Sequence, residues 1–100
     1  ETARYDFVLA ADVFMYLDDL HPVLNAVKKV LTPDGLLAFS VETHEGDQVI
    51  LRDTLRYAHS AAHVCDALAA AGLALVSLEP ATTRTEKGVP VPGLIAVVRN

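Results

Sequence analysis

The residues of this chain whose types could bind or react are Asp12, the run Glu42-Thr43-His44-Glu45, Tyr57, His59, His63 and Cys65. His59 titrates near neutral pH and could take a proton from a nucleophile. Tyr57 offers a ring to stack on a flat ligand or to face a cation. Ser60 beside them also reads as a helix cap, which would leave Tyr57 to packing. His59 and His63 lie four apart with Cys65 close by, so a metal must be weighed. The spacing puts His59 before the cap, His63 on the exposed face and Cys65 on the buried face, so the three do not converge and no metal is expected. A lone Cys on an apolar helix face reads as a small core residue, not a nucleophile.

Asp12 poses a different question. It closes the apolar run YDFVLAA and is followed by Val13, Phe14, Met15 and Tyr16, where a strand normally passes to a helix through polar or glycine residues. Something must occupy that apolar corner. An Asp at a strand end can also be a helix cap, and an apolar turn can also be core.

The elements that must position these residues alternate with little linker. Tyr5 to Ala11 reads as a strand buried on both faces. Asp18 and Asp19 offer caps for a helix from Asp19 to Leu31, with Pro22 in its first turn and Leu20, Val23, Leu24, Val27 and Leu31 at helical spacing. Lys28 and Lys29 suit its C-terminal end, and Thr32-Pro33-Asp34-Gly35 makes a turn. Leu36 to Glu42 is a second strand, 43–47 a polar loop, and 49–57 a set of short extended pieces. Ser60 caps a helix burying Ala61, Val64, Cys65, Leu68 and Ala71 and ending at Gly72. Leu73 to Leu78 is a strand, and a turn at Glu86-Lys87-Gly88 returns the chain into a last, antiparallel strand, Leu94 to Arg99.

Composition bounds the function. Of 100 residues, 52% are hydrophobic, with three Tyr, three Phe and no Trp, so Ala, Val and Leu fill the interior, as in helices stacked on a parallel sheet. A net charge of -5 with eight scattered Lys and Arg argues against nucleic-acid and anionic-membrane partners. The single Cys excludes an internal disulfide, and Glu1-Thr2-Ala3-Arg4 has no leader pattern, so a soluble, cytoplasmic chain is expected.

The order of elements, together with YDFVLAADVFMYL, LTPDGLLAFSVET and RYAHS, resembles the C-terminal half of a class I S-adenosylmethionine-dependent methyltransferase. It most resembles the bacterial branch often fused behind tetratricopeptide repeats. The resemblance implies an α/β, Rossmann-like fold, mostly parallel, closed by an antiparallel hairpin, with residues 1–100 forming a single partial domain. It implies that Ala11, Asp12 and Val13 pass close to the methionine end of S-adenosylmethionine, with Asp12 favouring its positive charge. Phe14, Met15 and Tyr16 would form a dry wall around the transferred methyl, and Tyr57 and His59 would serve as catalytic residues on the acceptor side. The family's glycine-rich cofactor loop and ribose-binding acid find no match, since no G-x-G pair follows a strand. The chain thus reads as a half-enzyme: a truncation, a remnant of a longer chain, or a standalone derivative without catalysis.

Two functions follow. One is methyl transfer to a small-molecule or protein acceptor, completed by the N-terminal half of the same enzyme. The other is a non-catalytic structural or interaction module. Right-handed crossovers put both helices on one face of the sheet and leave the other bare, although Val8, Ala10, Leu37 and Phe39 and the alternating set Phe7, Leu9, Leu36 and Ala38 are both apolar. An isolated chain is therefore expected to form a homo-oligomer.

Overall fold

A computed structural model of the chain describes residues 4–11, 13–44, 49–51 and 56–100. The strands are β1 (Tyr5–Ala10), β2 (Leu31–Glu42), β3 (Val49–Leu51), β4 (Tyr57–His59), β5 (Ala74–Glu86) and β6 (Val89–Arg99). The helices are α1 (His21–Val30) and α2 (Ala61–Ala71), with a single 3-10 turn at Phe14–Tyr16.

Both helix ends of α2 are set locally. Ser60 accepts the His63 N–H at its N-terminus, and Gly72 takes φ 75 at its C-terminus. There the Leu73 N–H reaches back to the Leu68 carbonyl, the closing bond of a glycine-stopped helix. The cap of α1 differs from the sequence reading. Its N-cap is Leu20, without a side-chain bond, and the Asp19 carboxylate accepts the His21 N–H from outside the helix. At the other end Lys28 reaches the Gly72 carbonyl at 3.1 Å and Asn100 at 2.8 Å, tying α1 to the start and end of the β5–β6 hairpin.

The turn at 32–35 is folded into a strand. Tyr5 pairs with Leu31 and Phe7 with Leu36, so the intervening residues bulge out of the ladder, with Asp34 at φ 65. At the far hairpin Lys87 and Gly88 both have positive φ, as the two-residue turn joining paired Glu86 and Val89 requires.

β1 runs parallel to β2, while β6 lies antiparallel between β2 and β5. The β3–β4 hairpin joins the sheet through β4, which pairs in parallel with the last residue of β2, Glu42 against Ala58. Glu42 also pairs with Gly93 of β6, so β4 sits on the side of β2 that β1 occupies lower down.

The core lies between the sheet and the two helices, which pack against each other on one face. Leu37, Phe39 and Val41 of β2 and Ala96 and Val98 of β6 meet Leu24 of α1 and Val64 and Leu68 of α2. Within this chain β1, whose apolar run suits burial on both faces, is covered on one face only. Val8 and Ala10 pack against the core, but Phe7 is 55% and Leu9 65% exposed on the other side, where Leu36 and Ile95 are exposed as well. Alternating apolar residues mark both faces as coverable, but the two helices cover only one. Cys65 is likewise exposed, and Ala67 takes the inward position in α2. That helix is apolar at nearly every position, so its inward face is fixed by what packs on it and not by its pattern.

Candidate functional site

At the carboxyl end of β1 the chain turns at Ala11 and enters the 3-10 turn, where the Leu17 N–H bonds the Phe14 carbonyl at 3.0 Å. This divides the apolar corner between core and surface, the side chain of Met15 lying outside the description. Phe14 is buried, its ring 4.9 Å from that of Phe39 and tilted by 42°. It belongs to the core, contrary to its expected place in a wall around a ligand, because the short turn swings it under the sheet. Ala11, Val13 and Tyr16 remain exposed. Asp12 lies outside the described residues.

Tyr16 is connected inward. The Arg56 guanidinium lies 5.7 Å from the centre of its ring, and the Arg56 Nε lies 3.9 Å from Oε2 of Glu42, which is fully buried at the end of β2. A buried carboxylate needs a counter-charge, and Arg56 supplies it while stacking on the corner. A charged residue ending the apolar run LLAFSV was the one sequence signal for this contact.

His59 and Tyr57 leave β4 on one face of the strand, and their environments differ. Tyr57 is half-buried, whereas His59 is fully buried. The His59 Nε2 lies 2.7 Å from the Leu17 carbonyl, which can only accept, so Nε2 carries the proton. Its Nδ1 has no hydrogen-bond partner among the described residues. Burial holds the His59 pKa below the ordinary histidine value, with the Leu17 bond opposing that shift, so the ring is neutral at pH 7. His59 thereby fastens the end of the corner to β4. Thr43, just beyond β2, completes the fastening, its hydroxyl donating to the His59 carbonyl at 2.7 Å. Beyond it Thr43 and His44 line an open groove of about 650 Å³ with Pro80, Thr82, Pro92 and Leu94.

One cluster was not foreseen. His63 Nε2 accepts the Leu20 N–H at 3.2 Å and lies 3.8 Å from the Asp19 carboxylate, which is itself 2.7 Å from His21 Nδ1. The His63 ring packs between those of His21 and His59, at 5.5 and 5.7 Å. The residues come from the starts of two helices far apart in sequence, so no spacing announces them.

Comparison with known proteins places the fold. Residues 1–39 match the family described as a methyltransferase domain. A search of curated proteins gave no match. Among solved structures the chain superposes over its full length on a methyltransferase from Methanosarcina mazei described as S-adenosylmethionine-dependent (TM-score 0.76, 12% identity, 61% of that chain). It does so equally on the Burkholderia thailandensis 1,6-didemethyltoxoflavin-N1-methyltransferase, solved with 1,6-didemethyltoxoflavin and S-adenosylhomocysteine (TM-score 0.78, 19% identity, 45% of that chain). A third is the N-methyltransferase NodS from Bradyrhizobium japonicum in complex with S-adenosylhomocysteine (TM-score 0.67, 23% identity, 48% of that chain). The chain thus spans about half of the proteins it matches, and a relation to the branch fused to tetratricopeptide repeats finds no support in these matches. No helix among the described residues is long and apolar enough to cross a membrane. The fold of this chain is that of part of a class I S-adenosylmethionine-dependent methyltransferase domain.

Proposed function

We propose that the chain supplies the acceptor-side part of a methyl-transfer site, with S-adenosylmethionine as donor and a small molecule or protein side chain as acceptor. The observation that carries this reading is the superposition of the whole chain on enzymes whose own descriptions include S-adenosylhomocysteine. In open α/β sheets ligands bind beyond the carboxyl ends of the strands, and here that edge is the exposed corner after β1. The residues present fit one wall of such a site: Ala11 is small and exposed, and Val13 and Tyr16 present apolar surface beside it. Ala11, Asp12, Val13 and Tyr16 would hold the donor, Asp12 by its charge.

When bound, the donor supplies an activated methyl group, and transfer needs alignment more than acid–base chemistry. His59 serves that alignment as a positioning residue, through the Leu17 carbonyl, and Arg56 does so by bridging the Tyr16 ring and the Glu42 carboxylate. Tyr57 would face the acceptor. The N-terminal half of the same enzyme would bring the glycine-rich loop and cover the bare sheet face, in a cytoplasmic protein without nucleic-acid or membrane partners.

Calorimetry tests the reading. The 100-residue chain alone should show no saturable micromolar binding of S-adenosylmethionine, since the glycine loop and ribose-binding acid are missing from it. In the complete enzyme Asp12→Ala should weaken donor affinity or methyl transfer more than tenfold, about 1.4 kcal/mol or above. Unchanged kinetics in that variant would reduce Asp12 to a cap. The second reading, a non-catalytic module, is favoured by one observation, the exposed apolar face at Phe7, Leu9, Leu36 and Ile95.

A further inference from the structure

We propose that Asp19, His21 and His63 form a binding site for a borderline divalent transition-metal cation, of which zinc is the representative. The site stands apart from the methyl-transfer reading and does not depend on it. The ligand atoms, one from each residue, lie within 4.8 Å of one another. Asp19 Oδ1 is 2.7 Å from His21 Nδ1 and 3.8 Å from His63 Nε2. A cation bound at about 2.0–2.1 Å to each donor wants them roughly 3–3.5 Å apart, so the Asp19–His21 pair must open and the Asp19–His63 pair must close. Both movements lie in exposed side chains and give up the contacts of Asp19 Oδ1 with the His21 N–H and ring. Asp19 is 52% and His21 39% exposed, while His63, the anchor, is only 15% exposed on α2.

The donor chemistry narrows the cation. Two imidazole nitrogens and one carboxylate suit zinc, cobalt(II) or nickel(II), whereas magnesium and calcium prefer an all-oxygen shell. The exposed side of the cluster leaves room for water to complete the coordination. Asp66 on the next turn of α2 adds a negative field at His63. Binding must displace the bond from the Leu20 N–H to His63 Nε2, which holds the expected affinity to the micromolar range. The ion would then join the segment entering α1 to the first turn of α2. That segment carries the Leu17 carbonyl held by His59, so the metal would clamp the corner from the helix side while His59 holds it from the sheet side. The His59, His63 and Cys65 grouping weighed from spacing is not this site, because neither His59 nor Cys65 is among these donors.

The test is titration of the EDTA-stripped, buffer-exchanged chain with zinc chloride by calorimetry, with cobalt(II) absorption as a second readout. One equivalent should bind with micromolar affinity and raise the melting temperature, and cobalt should give ligand-field bands without a thiolate charge-transfer band. His21→Gln, a surface change that circular dichroism should show to be folded, should weaken zinc at least tenfold, as should Asp19→Asn. Cys65→Ser should leave the affinity unchanged. No saturable binding below millimolar zinc, affinity untouched by His21→Gln, or loss of binding in Cys65→Ser would each overturn the assignment.

Discussion

Replacing His59 by Phe separates a histidine that fastens the corner from one that merely fills space. The ring is fully buried, and Phe keeps an aromatic side chain there, though a larger one, so any overpacking adds to the loss. What is lost is the 2.7 Å bond to the Leu17 carbonyl. Leaving that part-buried acceptor without a donor costs about 1–3 kcal/mol, and relief of the unpartnered Nδ1 returns some of it, so the net destabilisation should be about 1–2 kcal/mol. With a urea m-value of about 1–2 kcal/mol/M for a chain of this size, the unfolding midpoint should fall by roughly 1 M. His59→Gln keeps a donor near the same place and should recover part of the loss. The pH profile gives an independent readout, taken in EDTA. Burial lowers the folded pKa of His59 below 6.5, so the unfolded chain binds the proton first. The stability that the neutral ring contributes is therefore fully present above pH 6.5 and is lost as pH falls through that value toward the folded pKa. Burial lowers the His63 pKa in the same direction, so the Phe variant should show a shallower loss, not a flat line. A Phe variant as stable as the parent, or one with an unaltered slope between pH 7 and 5, would refute the fastening argument.

The bare sheet face predicts that the isolated chain is a dimer or higher oligomer at micromolar concentration by light scattering. Leu9→Lys, at a residue 65% exposed, should shift it toward monomer, and a parent chain that is already monomeric would contradict this. Gly35→Ala should destabilise by about 1–3 kcal/mol in urea unfolding, because its Cβ would meet the Thr32 carbonyl at 2.9 Å and the Tyr5 carbonyl at 3.1 Å, both backbone atoms. A neutral result would mean that the bulge relaxes freely. Gly88→Ala, with nothing within 4 Å but φ 81, should cost about 1 kcal/mol through conformation alone.

Features fixed by neighbouring residues were legible in the sequence. Ser60 caps α2 and Gly72 ends it because each acts on backbone groups within one turn, and Lys87-Gly88 reverses the chain because Gly88 takes positive φ without a Cβ penalty, while the turn imposes it on Lys87. The α1 stripe, the antiparallel hairpin and the placement of both helices on one face followed from periodicity and the handedness of crossovers. Tertiary structure decided what depends on distant partners. Nothing local makes β6 enter between β2 and β5, or makes β4 continue the edge of β2 that β1 begins; those places follow from which edges remain unpaired once β1 and β2 have met. Phe14 and Tyr16 are two residues apart in one apolar run, yet one packs on Phe39 and the other stays outside under Arg56, since only the closed core distinguishes their positions. Asp19, His21 and His63 are ordinary helix-start residues in sequence. They become a cluster only because α1 and α2, each amphipathic or apolar enough to need the same sheet face, are forced to begin side by side.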